Sequence, residues 1–123
     1  MAAAATAPAG TAPSLREAFP RLRQLERHDR GYVRRLEKLQ LETRAFADLY
    51  LRPAALEVDR RTDEDPSWFD WDLVRAGGLH SMLDFLLPSQ VGGRGCLTIG
   101  CAIVMEELCA ACPGLGLIFG AHG

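Results

Sequence analysis

Apolar residues recur at helical spacing through the middle of the chain, with arginine, lysine and glutamate between them. This pattern predicts an amphipathic helix from Tyr32 to about Arg60, preceded by a break at Gly31. Pro53 lies inside this helix, where its ring removes a hydrogen-bond donor and clashes with the preceding turn, so we expect it to kink or interrupt the helix. The apolar positions of the helix are Val33, Leu36, Leu39, Leu41, Phe46, Leu49, Leu51, Leu56 and Val58.

Shorter helices are predicted on both sides of the long one. Ser14 is a suitable N-cap for a helix over Leu15–Asp29, which Pro20 disturbs. A second short amphipathic helix is predicted over Trp68–Ala76, and Gly77–Gly78 should end it. The aromatic residues at the start of this second helix are expected to pack it onto its neighbours.

The remaining segments alternate between polar loops and apolar stretches. Polar and turn-forming residues predict loops at Arg61–Ser67 and Pro88–Gly95. His80–Leu87 is apolar and fits either a helical turn or an extended piece. Leu97–Ala111 is a strongly apolar helix, and a second apolar segment follows at Leu115–Phe119.

No segment of the sequence shows the period-2 alternation of a strand, so the predicted fold class is all-α. Leu97–Met105 and Leu115–Phe119 are apolar on nearly every face, and a single partner helix cannot cover them. We therefore expect the isolated chain to fold poorly or to associate through residues 95–123.

Composition excludes several classes of protein. The chain is 48% hydrophobic and 24% charged with a net charge of −2, which gives no indication of nucleic-acid binding. Residues 1–13 carry no charge and are predicted to be a disordered leader. The apolar run Gly95–Met105 is too short for a membrane span. We expect a cytoplasmic protein, with the mitochondrial matrix as the alternative.

Four cysteines invite a metal or redox interpretation. The spacing Cys109-x-x-Cys112 by itself fits zinc or a redox pair. Cys101 and Cys109, however, lie among Ala, Ile, Val and Leu on a predicted helix, where cysteine behaves as a small hydrophobic residue. Core packing is the favoured interpretation for all four cysteines, including Cys96.

Three further features are candidate sites: a pair of glutamates, a glycine-rich loop and a basic helix face. Glu106 and Glu107 point about 100° apart on a helix, so one should face solvent while the other makes a structural salt bridge or hydrogen bond. The Gly92–Gly95 loop fits a tight turn, although a helix that begins after it can attract an anion. A solvated helix face is the default interpretation of the basic residues Arg21, Arg23, Arg27, Arg30, Arg34, Arg35 and Lys38.

The order of the segments resembles a known family. Residues 43–123 are similar to the start of the acyl-CoA dehydrogenases, which open with a helix of the form F-A-x-x-x-x-x-P-x-A-x-E-x-D. The residues that match this form are Phe46, Ala47, Pro53, Ala55, Glu57 and Asp59. A loop containing Pro66 follows, and then a short helix that precedes Gly77-Gly78-Leu79, as in the family.

Three later motifs continue the resemblance. The family loop VPEEYGGxG matches residues 87–95, with Ser-Gln-Val in place of Glu-Glu-Tyr. The family helix that contains MEEL and has a small, cysteine-rich end matches Met105–Cys112. The family segment ending in HG matches Gly120–Gly123. Residues 1–42 are not covered: we assign 14–42 to a helical extension and 43–123 to part of the family's N-terminal helical domain.

The resemblance implies an FAD-dependent enzyme that removes the α-proton and β-hydride of an acyl-CoA thioester. The electrons taken from the substrate would pass through the flavin to an electron-transferring flavoprotein. The flavin site and the catalytic base would lie in later domains, so no catalytic or cofactor-binding residue is assigned here. The segment after the MEEL helix would wall the acyl end of the substrate cavity. The substrate-binding residues implied in this way are Leu115, Gly116, Phe119 and Gly120.

Two kinds of function follow from these expectations. In the first, the chain is the N-terminal segment of an acyl-CoA dehydrogenase-like oxidoreductase that needs further enzyme domains or a partner subunit. A relative with the same fold that oxidises another substrate is a variant of this hypothesis. In the second, the chain is a non-catalytic remnant or interaction module that docks through apolar residues 95–123. The length of the native protein distinguishes them.

Overall fold

The computed structural model describes residues 13–122, which form helices, turns and bends and contain no strand. The all-α prediction is therefore confirmed for this part of the chain. A π-helical turn lies at Ala47–Leu51 and a 3-10 turn at Ser89–Val91. The α-helices are α1 Leu15–Ala18, α2 Leu22–His28, α3 Arg30–Phe46, α4 Arg52–Glu64, α5 Trp71–Leu79, α6 Thr98–Ala111 and α7 Pro113–His122.

The long central helix is observed, with one difference from its predicted form at Gly31 and an interruption of the α-helix just before Pro53. Gly31 lies inside α3 and does not break the chain. The break falls two residues earlier, at Asp29, which ends α2 and caps α3 by accepting a hydrogen bond from the Tyr32 N–H at 2.8 Å. Pro53 stands at the start of α4, where a missing N–H is tolerated. The helix passes from α3 to α4 through the π-helical turn.

The boundaries of α4 and α5 also differ from those predicted. Helix α4 extends through Glu64 into the predicted polar loop. Helix α5 begins at Trp71, because Asp70 accepts a hydrogen bond from the Leu73 N–H at 2.9 Å and acts as its N-cap. Gly77 lies within α5 and does not end it. A Cβ atom at Gly77 would collide with the ring of Phe119, so the tight packing of α5 on α7 requires glycine there.

The principal core lies where α3 and the π-helical turn pack on α6 and α7. The segment between α5 and α6, whose conformation the sequence leaves open, contains bends and contributes Met82 and Phe85, each 1% exposed. The other buried residues of this cluster are Leu39, Phe46, Ala47, Leu51, Leu73, Val104, Leu108, Leu115 and Phe119.

A smaller core joins the N-terminal helices to the rest of the domain. Leu15 of α1 and Leu22 of α2 are buried against Leu36 of α3 and Ile103 of α6. Arg16 reinforces this contact by binding Glu26 at 3.0 Å and Glu37 at 2.7 Å. The predicted helical extension is therefore packed onto the domain. Residues 1–12, which hold most of the predicted leader, lie outside the described residues.

The two apolar C-terminal helices find most of their cover within the chain. On α6, Ile103 faces the smaller core, while Val104 and Leu108 face the larger one. The expectation that a single helix cannot cover α6 is confirmed, since α3, the π-helical turn and α7 all contact it. None of the helices between Pro13 and His122 has the length and apolar content that a membrane span requires.

Candidate functional site

A predominantly apolar cleft of about 210 Å³ opens between α4, α5 and α7. Its inner wall is formed by core residues, and its rim carries the polar side chains of Asp59, Thr62 and Asp70. The Thr62 hydroxyl donates to the Val58 carbonyl at 2.8 Å, so it is already hydrogen-bonded within α4. The lining residues are Val58, Asp59, Thr62, Trp68, Phe69, Asp70, Leu73, Val74, Cys112, Gly114, Leu115, Ile118 and Phe119.

Helix α7 supplies one wall of the cleft. Pro113 occupies the first position of α7, where its fixed φ favours helix formation. Leu115 and Phe119 are four residues apart, share one face of the helix and line the cleft. Phe119 is fully buried and meets Phe46 edge-on, with ring centroids 5.5 Å apart. An apolar ligand in the cleft would therefore contact side chains that are packed into the core.

The loop before α5 closes one side of the cleft. Trp68 lines it and lies beneath the guanidinium of Arg61, whose Cζ is 5.3 Å from the ring centroid. Phe69 also lines it and packs edge-on against Trp71 at 4.9 Å. Trp71 itself is 64% exposed, so the expectation that it packs the helix onto its neighbours is wrong.

Gly116 and Gly120 do not line the cleft, unlike Leu115 and Phe119. A Cβ atom at Gly116 would stand 2.9 Å from the backbone nitrogen of Cys109, and one at Gly120 would collide with the Met105 side chain. Both glycines therefore allow α7 to approach α6 closely. Of the four residues implied to bind substrate, Leu115 and Phe119 line the cleft, whereas Gly116 and Gly120 face α6. A substrate role for each of them stays a prediction.

An ion pair and a hydrogen bond link α6 to α3 beside the larger core. Arg44 donates to Glu107 twice, at 2.7 and 2.8 Å, and Gln40 donates to the same carboxylate at 2.8 Å. Hydrogen bonding to Glu107 raises the pKa of Arg44 above its usual value, and burial opposes this effect. Glu106 is exposed, so the predicted division of roles between the two glutamates is confirmed.

The cysteines pack as the sequence predicts. Cys96, Cys101 and Cys112 are partly buried against the larger core, and Cys109 contacts α7 at Gly116. Burial raises the pKa of the Cys96 and Cys101 thiols, which disfavours the reactive thiolate. Within residues 13–122 no group of three or more His, Cys, Asp or Glu side chains is arranged to hold a metal ion.

Comparison with known proteins shows to which family the chain belongs. The model of the acyl-CoA dehydrogenase N-terminal domain matches residues 34–123. The chain belongs to the acyl-CoA dehydrogenase family. The match includes α7, and with it the residues that line the cleft on that side.

The relatives are much longer than this acyl-CoA dehydrogenase domain. It is 35% identical over 80 residues to a 3-sulfinopropanoyl-CoA desulfinase of Variovorax paradoxus, covering 65% of this chain and 19% of that protein. It is 29% identical over 79 residues to an acyl-CoA dehydrogenase of Bacillus subtilis, covering 64% and 20%. A short-chain-specific acyl-CoA dehydrogenase of Clostridium acetobutylicum is 28% identical over 94 residues, covering 76% and 24%.

The chain thus spans about a fifth of the length of the curated relatives that it matches. No solved structure gives a significant match to it.

Proposed function

We propose that this chain is the N-terminal segment of an FAD-dependent oxidoreductase that acts on acyl-CoA thioesters. The family match over residues 34–123 is the observation that carries the proposal. The flavin site and the base that removes the α-proton would belong to other domains of the enzyme, and electrons would pass to an electron-transferring flavoprotein. Fatty-acid or related catabolism in the cytoplasm, or alternatively in the mitochondrial matrix, is the setting that we propose.

The substrate class follows from the relatives' names and from the cleft. The relatives are named for 3-sulfinopropanoyl-CoA and for short-chain acyl-CoA, both of which are CoA thioesters with small acyl groups. An apolar cleft of about 210 Å³ lined by Leu115 and Phe119 would suit the end of a short-chain acyl group. Each methylene buried there would contribute roughly 0.8 kcal/mol. A desulfinase-like reaction on the same class of thioester is the second candidate, favoured by the 35% identity.

Gly114→Leu tests the assignment of the cleft. Gly114 lines the cleft, and a Cβ atom there would meet nothing within 4 Å, so a larger side chain can enter without disturbing the core. In the flavin-loaded native enzyme we expect this change to raise KM for the longest accepted acyl-CoA by about tenfold, which corresponds to about 1.4 kcal/mol. Flavin content should be unchanged. Steady-state kinetics over a series of acyl-CoA lengths measures the effect.

Ala121→Leu is the matched control for this change. Ala121 is an exposed residue of α7 that does not line the cleft, so the same added side chain should leave the chain-length profile unaltered. The cleft would lose its assignment if the two variants gave identical profiles. Gly116→Leu is a less informative test, because its side chain would collide with the backbone of α6.

The chain by itself is expected to bind no FAD and to oxidise no acyl-CoA. The flavin performs the hydride chemistry, and the protein must position it against the substrate, which in this proposal is the task of later domains. The 123-residue chain should therefore be colourless after incubation with FAD and gel filtration. A yellow one-to-one complex would contradict this expectation.

The native protein decides between the enzyme and the non-catalytic alternative. We would tag the chain at its native locus, isolate it, and measure intact mass, flavin absorbance and acyl-CoA-dependent reduction of a dye. A larger flavoprotein that reduces the dye supports the proposal. A flavin-free species of 13.5 kDa would favour the interaction module that docks through residues 95–123.

A further inference from the structure

A second cleft, of about 230 Å³, lies between α3 and the loop that leads into α6. Three cationic side chains line it: Arg35 and Lys38 from α3, and Arg94 from the glycine-rich loop. Its volume is roughly eight times the share of about 30 Å³ that one water molecule takes in the liquid, which is enough for a phosphate group and part of the molecule that carries it. It is separate from the cleft formed by α4, α5 and α7.

The cations of this second cleft exceed the carboxylates available to them. Glu42 is shared by two of them, binding Lys38 at 3.6 Å and also pairing with Arg94. Within residues 13–122, Arg35 has no carboxylate at ion-pair distance, and its guanidinium lies over the Tyr32 ring with Cζ 5.6 Å from the centroid. The cleft is therefore lined by three cations of which only two share a carboxylate, although the chain as a whole has a net charge of −2.

Arg94 differs from the two cations on α3, both of which are exposed. Arg94 is only 23% exposed, and its charge is held beside Glu42 at the cleft wall. Charges that are partly withdrawn from water are screened less than freely exposed ones, so an anion entering the cleft would meet a positive potential. A guanidinium offers a planar fork of donors that matches phosphate oxygens.

We propose that this cleft binds the phosphate group of a small ligand. Arg35 and Lys38 would contact the phosphate oxygens, and Arg94 would provide the inner positive charge. Cys96 and Leu97, which belong to the apolar part of the wall, would contact the carbon portion of an organic phosphate. The site does not rest on the proposed dehydrogenase function, because its residues and its test are independent of flavin and of the acyl cleft.

Isothermal titration calorimetry on the 123-residue chain tests the site with four probes: inorganic phosphate, ADP, CoA and adenosine. ADP and CoA should bind, and binding should weaken as ionic strength rises. Adenosine, which lacks a phosphate, should not bind. If inorganic phosphate binds as tightly as ADP, the site takes free phosphate, whereas tighter binding of ADP or CoA identifies an organic phosphate as the ligand.

The double variant Arg35→Gln/Lys38→Gln should weaken phosphate binding by at least about tenfold, because each removes a charge-assisted contact. The matched control is Arg30→Gln/Arg34→Gln, which removes the same charge from exposed positions of α3 that do not line the cleft. Equal weakening by both double variants would overturn the site in favour of diffuse attraction. Binding of adenosine as tight as that of ADP, or no binding of any phosphate, would also overturn it.

NMR chemical shifts of the unaltered chain locate the bound ligand without any variant, so they test the site even if a variant fails to fold. In the unaltered chain, ADP should shift the amide signals of Gly95, Cys96 and Leu97, which line the cleft, and leave those of Leu115 and Phe119 unchanged. Shifts confined to the second pair would place the ligand in the other cleft and overturn the proposal.

Discussion

Replacement of Phe119 by alanine should lower the free energy of unfolding by about 3–5 kcal/mol. Phe119 is fully buried, and its ring lies against Phe46 and fills the space that Gly77 leaves open. Truncation would lose the transfer free energy of the ring and leave a cavity between α5 and α7. Net stabilities of small domains are about 5–15 kcal/mol, so this one change would remove a large fraction. Urea denaturation followed by circular dichroism measures the loss.

The same helix provides the control for this prediction. Leu117 is 64% exposed, and Leu117→Ala should change the free energy of unfolding by less than about 0.5 kcal/mol. An equal loss in both variants would show that α7 is not oriented as described.

Gly77→Ala gives an independent check of the same contact. Alone it should destabilise the fold by about 1–3 kcal/mol, because its methyl group would collide with the Phe119 ring. In the Phe119→Ala background that collision is absent. Gly77→Ala should then be neutral, or stabilising by up to about 1 kcal/mol through helix propensity. Additive losses in the double variant would contradict the contact.

Glu107→Ala should lower the free energy of unfolding by about 2–3 kcal/mol. The Glu107 side chain is 11% exposed and accepts hydrogen bonds from both Arg44 and Gln40. Its removal would deprive a partly buried guanidinium of its paired charge. The loss should appear as a lower urea midpoint with an unchanged denaturant slope.

Glu106→Ala is the matched control for this ion pair. The two glutamates are adjacent, but Glu106 is exposed, so its removal should cost less than about 0.5 kcal/mol. Equal losses at the two positions would show that Glu107 makes no specific contribution through α3.

The sequence by itself determined the local features of this protein. Hydrophobic spacing identified the long helix of α3 and α4, because an amphipathic face must repeat every 3.6 residues whatever it packs against. The same principle assigned opposite environments to Glu106 and Glu107. The ordered motifs from Phe46 to Gly123 indicated the family, and the match over residues 34–123 confirmed it. Helix boundaries were less accurate, since the cap at Asp70 was not recognised.

The tertiary structure alone decided which distant residues meet. Gly77 resembled a helix terminator until the position of Phe119 showed that α5 needs the space, because a glycine can either end a helix or admit a neighbour. Gly116 and Leu115 are consecutive, yet one faces α6 and the other faces the cleft. Arg35 and Arg94 are far apart in the chain and line one cavity only because α3 packs on α6. Spacing along a helix fixes which residues share a face, whereas the neighbour that the face meets is set by the packing of the whole chain.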